Sequence, residues 1–166
     1  MFGNPRVKAT RRGTWKLKFT DVEIGILRSL GPQLRTLLIH GPDDPDLRRL
    51  FPTAYPDDPD ADAFYQLLAK DDLLARRLAN LDTFEACLGS DTLTTDELTA
   101  FMGAVNDLRL VLGTKLDVSE EDDLTAMADD DPNAPAMALY AFLGFVLECV
   151  VDALFGTVPE RGTESS

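Results

Sequence analysis

The stretch at residues 133–155, NAPAMALYAFLGFVLECVVDALF, most constrains what this chain can fold into, because it is apolar around its circumference and such a helix needs cover on every side. Asn133 can cap it, Pro135 suits its first turn and Gly156 offers a stop, so the pattern predicts a helix ending near Phe155. Its longest uncharged run, residues 134–147, falls short of the roughly 18 apolar residues of a membrane span, and Glu148 and Asp152 follow one turn apart. The expectation is a helix at the centre of the core, in a tight bundle or a homodimer, with no membrane contact. Ala138, Ala141 and Gly144 leave small surfaces where a neighbouring backbone can come close.

A chain of 166 residues with 45% hydrophobic content can bury one sizeable core. The reading is one helical domain over 1–158, made of a basic β-hairpin (1–19) and a helical core (20–158), with a disordered tail at 159–166. No signal-like apolar run follows the basic start, so a cytoplasmic location is expected. In a reducing compartment two cysteines predict neither a structural disulfide nor a metal site.

The net charge of −13 hides an asymmetry. Six of the 16 basic residues, Arg6, Lys8, Arg11, Arg12, Lys16 and Lys18, lie in the first twenty positions, which hold no acid. An acidic body opposes nonspecific wrapping by nucleic acid, so a contact to DNA or to an acidic partner would use this basic head. A hairpin with charged, solvated edges satisfies the same pattern without any ligand. The alternation of Trp15, Leu17 and Phe19 with Lys16 and Lys18 predicts the second strand, with its apolar face laid on the helices.

Thr20 with Glu23 and Thr94 with Glu97 are capping boxes opening two further helices. The first runs to about Ile39 on a stripe of Val22, Ile26, Leu30, Leu34, Leu37 and Leu38, and Gly31–Pro32 in its middle predicts a kink or break. A Pro- and Asp-rich connection follows, with a short helix near residues 47–51. Residues 63–88 carry two helical patterns that can join across Lys70, Asp71 and Asp72, and Gly89 ends them. With the helix from Thr94 to Leu112 they form an antiparallel αα-hairpin. Residues 117–131, with eight acids and no base, read as a solvated acidic loop in which Ser119 can cap a short helix.

No Walker loop, GxGxxG, GxSxG or CxxC occurs, and one histidine, His40, is too few for most histidine-dependent constellations. The aspartates of residues 41–62 lack calcium-loop spacing, and Glu148 with Asp152 lacks the Glu-x-x-His repeats of a di-iron bundle. No enzyme, metal or cofactor is therefore expected. Cys87 and Cys149 fall on apolar helical faces, where a buried thiol is first a small hydrophobe and second a redox candidate. A structural polar network is expected from Arg77, Asn106, Asp107, Arg109, Glu148 and Asp152. A turn between Gly89 and Thr94 sets Arg77 level with Asn106 and Asp107, and sets Glu85 too far from Arg109 to pair with it. Arg109 is expected to reach Asp71, or Glu148 and Asp152.

The segments DVEIGILRSLGPQLRTLL, DPDLRRLFPTAY, DDLLARRLANLDTFEACL, LTTDELTAFMGAVNDLRLVLGTKLDV and LYAFLGFVLECVVDAL resemble an actinobacterial family catalogued as a domain of unknown function, of the actinomycete oxidative stress regulator (AosR) type. The resemblance spans roughly residues 15–154. It implies a non-enzymatic regulator of transcription in oxidative stress that binds a stress sigma factor or RNA polymerase, with DNA as a further candidate contact and cysteine-based redox sensing. The alternative is a structural or protease-adaptor-type interaction module with no DNA role. The expected fold is mainly α, a helical bundle around an apolar C-terminal helix with a small N-terminal β-hairpin.

Overall fold

Threonine side chains start two of the long helices. The computed structural model describes residues 6–41, 44–116 and 132–156. Strands β1 (Val7–Ala9) and β2 (Trp15–Leu17) lead into α1 (Asp21–His40), a 3₁₀ turn (Pro45–Leu47), α2 (Pro59–Cys87), α3 (Thr95–Lys115) and α4 (Ala134–Phe155). Both capping boxes are formed: the Thr20 and Thr94 hydroxyls accept from the amides of Glu23 and Glu97, whose carboxylates accept from the threonine amides. Each such cap contributes about 1 kcal/mol. The Asn133 side chain makes no capping bond to α4, contrary to expectation, and Asn133 serves through its carbonyl, which accepts from Met137 N at 2.9 Å.

The hairpin pairs Val7 with Leu17, Lys8 with Lys16 and Ala9 with Trp15. Thr10 N donates to the Thr14 carbonyl at 2.9 Å, and the turn between them closes through Gly13 at φ 81°, a left-handed position that glycine takes without strain. Trp15 also exchanges two 2.8 Å backbone bonds with Leu93, and its indole Nε1 donates to Thr95 Oγ1 at 3.0 Å. The hairpin is thereby anchored on the loop joining α2 to α3.

α1 continues through Gly31 and Pro32 instead of breaking. Pro32 and Arg28, whose carbonyl the proline leaves without its amide partner, are both exposed residues. Its buried stripe is Leu27, Gly31, Leu34 and Leu38; Val22, expected on the core face, is exposed. Gly31 permits a close approach, since a Cβ there would stand 2.8 Å from Glu85 Oε2. The two patterns of residues 63–88 form the single helix α2, and the predicted short helix near residue 47 is the 3₁₀ turn.

The chain is mainly α with an apolar C-terminal helix and a small hairpin, as its sequence predicts. The helix with the most cover, however, is α3, which packs on α2, α4 and the 3₁₀ turn. Small residues let these neighbours close in: Gly103 lies against Asn80, and Gly113 against Tyr140 and Arg49. α4 buries Tyr140, Leu143, Val146, Cys149 and Val150 but exposes Phe145, Val151 and Phe155, so it is not hidden on every face. Among the described residues, α3 and β1 are the elements that pack most on it. By length and composition it is the one helix among the described residues that could cross a membrane; in this fold one side of it packs on α3 and β1. The acidic loop at 117–131, with Ser119, and the tail at 159–166 lie outside the described residues.

Candidate functional site

The basic head divides into one structural cation and five exposed ones. Arg6 makes a two-pronged pair with Glu23, Nε to Oε1 and Nη2 to Oε2, both 2.9 Å, and its guanidinium lies 5.5 Å from the Phe145 ring centroid. The same Glu23 closes the capping box of α1, so one carboxylate ties the hairpin to a helix start. The Arg6 hydrogen bond pulls the Glu23 carboxyl below its ordinary value, and the pair raises Arg6. Lys8, Arg11, Arg12, Lys16 and Lys18 are exposed. Lys8 and Lys16 face each other across the ladder, which concentrates like charge on the outer face of the hairpin.

Both cysteines are buried in the one hydrophobic core, and no disulfide joins them. Cys87 lies against the start of α3, its Sγ 3.9 Å from the Glu97 carbonyl oxygen. Burial, with Glu97 adding to it, pushes that thiol up to about 11. Burial also raises Cys149, against the attraction of Arg6. At neutral pH each is held as a thiol, the less nucleophilic form.

The polar network forms in part. Arg77 Nη1 donates to Asp107 Oδ1 at 2.5 Å and Nη2 donates to the Leu50 carbonyl at 3.0 Å, which joins α2, α3 and the segment after the 3₁₀ turn. Asp107 is 1% exposed, and its burial, set against Arg77, pushes its carboxyl up to about 6. Asp107 Oδ2 and Arg77 Nε have no hydrogen-bond partner among the described residues. Asn106 is level with the pair, but its side chain makes no hydrogen bond to either member. Among the described residues Arg109 takes no carboxylate; it lies 4.8 Å from the Tyr140 ring centroid, beside Gly144. Asp71, Glu148 and Asp152 stand exposed instead of meeting it. An aromatic face replaces the acid because Tyr140 and Gly144 lie on the side of α4 turned to α3.

Sequence reasoning missed a second bridge, Arg35 of α1 to Asp82 at 2.7 Å and to Glu85 of α2. The glycine at position 31, one helical turn before Arg35, was its available signal. An apolar cleft of about 130 Å³ lies where α1, α3 and α4 meet, lined by residues such as Leu34, Leu37, Leu108, Val111 and Leu143. No group of three or more His, Cys, Asp or Glu side chains suited to a metal occurs among the described residues, and His40 is exposed at the end of α1.

These features define a small helical bundle carrying a β-hairpin whose outer face is basic. The chain belongs to the family described as Domain of unknown function (DUF2017), whose model matches residues 5–154. It is similar to proteins named Oxidative stress regulator AosR from Mycobacterium bovis and from two strains of Mycobacterium tuberculosis, each 33% identical over 133 residues. The matches cover 70% of this chain and 61% of the relatives' length. No solved structure matches it significantly.

Proposed function

We propose that this chain is a non-enzymatic regulator in the oxidative-stress response, acting by binding a transcription protein such as a stress sigma factor or RNA polymerase. The observation that carries the reading is its 33% identity to relatives named as oxidative stress regulators. The five exposed cations of the hairpin support a contact with an acidic protein surface or with DNA, since they present positive charge on an otherwise acidic chain. Redox sensing through Cys87 and Cys149 is the finer part of the proposal. It requires a conformational change that lifts the thiols out of their burial, because a reactive thiol needs access.

The test is association of the purified chain with stress sigma factors and with core RNA polymerase, measured with thiols reduced and after diamide treatment. Saturable binding whose affinity differs between the two states is the expected result. Absence of binding in both states would overturn the reading.

A further inference from the structure

Among the described residues, the first third of α2 stands clear of the other helices. Since Arg77 is level with Asp107, α3 ends at Lys115 beside about the tenth residue of α2, and the turns before that have no α3 turn alongside. Phe64, Leu67 and Leu68 project there at i, i+3 and i+4 and are 63%, 77% and 63% exposed. The preceding loop does not cover them, because it is tied to the opposite side of the helix. Asp62 accepts from the amides of Ala54 at 2.7 Å and Tyr55 at 3.1 Å, Gln66 Nε2 donates to the Pro52 carbonyl at 3.3 Å, and the Tyr55 ring meets Tyr65 edge-on at 6.2 Å. At 100° per residue, Asp62, Tyr65 and Gln66 point away from the ridge, whereas Asp60 and Asp71 continue its line at either end.

We infer that this ridge docks a basic amphipathic helix of a protein partner. Its centre is apolar, both of its ends are acidic, and Asp57, Asp58 and Asp72 add exposed negative charge nearby. The one cation of this stretch, Lys70, is turned onto Phe51, its Nζ 5.7 Å from the ring centroid. A helix with leucine-like residues at i, i+3, i+4 and i+7, flanked by Lys or Arg, complements the ridge in both shape and sign. A symmetric second copy would instead bring the same aspartates face to face. The inference does not depend on which response the protein regulates.

The probe is a fluorescein-labelled peptide of about 18 residues, leucine and lysine in amphipathic helical order, titrated by anisotropy against the full chain at near-physiological salt. Replacing Phe64→Ser, Leu67→Ser and Leu68→Ser together should weaken binding by about ten-fold or more with an unchanged circular dichroism spectrum. Replacing Asp60→Asn, Asp71→Asn and Asp72→Asn should weaken it several-fold and flatten its salt dependence. A scrambled peptide of the same composition should bind the chain and the serine variant alike. Equal affinity of the ordered peptide for the chain and the serine variant overturns the proposal. So does a dimer of the full chain, seen by sedimentation, that Leu67→Ser dissociates, since a second copy would then be the occupant.

Discussion

Arg77 and Asp107 meet between the antiparallel helices α2 and α3, the arginine donating across from α2 while the aspartate sits 1% exposed within α3. Neighbouring pairs agree with that register: Phe84 stacks on Phe101 at 5.0 Å, and Asn80 lies against Gly103. Asp107→Ala should lower the unfolding free energy by about 1–3 kcal/mol, because it leaves a half-buried guanidinium short of its acceptor. Asp107→Asn keeps an acceptor and should cost less. Urea denaturation of the two variants checks the order.

The same carboxyl sets a pH dependence. Its folded value, about 6, lies above its ordinary 3.8, so the folded state holds the proton more tightly than the unfolded chain does. Stability from this group is fully present below about pH 4 and falls as pH rises towards 6, by up to about 3 kcal/mol. Glu23 runs the other way: its depressed carboxyl adds stability above its ordinary 4.5 that is lost as pH falls through its lower folded value. Denaturation curves between pH 4 and 7 should show the decline in the parent chain and its loss in Asp107→Asn.

Two glycines of α1 should respond oppositely to alanine. A Cβ at Gly25 meets nothing, so Gly25→Ala should stabilise by up to about 1 kcal/mol through helix propensity. At Gly31 it would press on the Glu85 carboxylate that Arg35 holds, so Gly31→Ala should give no gain or a loss. Thermal melts of both variants, with Arg35→Ala/Gly31→Ala to release the clash, make the comparison.

Arg6 should separate from the rest of the basic head. Neutralising Lys8, Arg11, Arg12 and Lys16 to Gln should weaken binding to an anionic partner or DNA and flatten its salt dependence without unfolding the chain. Arg6→Gln should instead loosen the hairpin from α1, because it removes both bonds to Glu23. Anisotropy with labelled DNA at several salt concentrations, alongside thermal melts, distinguishes the two effects.

Native thiols should label slowly. With Cys87 pushed up to about 11 and both side chains buried, reaction with a disulfide reagent at pH 7.5 should be more than about ten-fold slower than in the urea-unfolded chain. Mass spectrometry after diamide then tests the redox proposal: a Cys87–Cys149 bond or an intermolecular bond supports it, and two free thiols would leave both as core residues.

The sequence by itself determined the features that depend on neighbours a few positions away. Both capping boxes, the hairpin with its glycine turn, the start of α3 and the level of Arg77 with Asp107 follow from helical rise, strand alternation and local hydrogen bonds, whereas α3 runs past the predicted end at Leu112 to Lys115. Local chemistry did not say which side of an apolar helix gains a neighbour. α4 is more apolar than α3, yet α3 took the most covered position, because its glycines let Asn80 of α2, Tyr140 of α4 and Arg49 approach it. Only the tertiary structure decided that Arg109 rests on Tyr140, that Arg6 is held by a capping glutamate, and that Phe64, Leu67 and Leu68 are left outside. Those outcomes depend on where separate elements end relative to one another, which spacing within any single element does not encode.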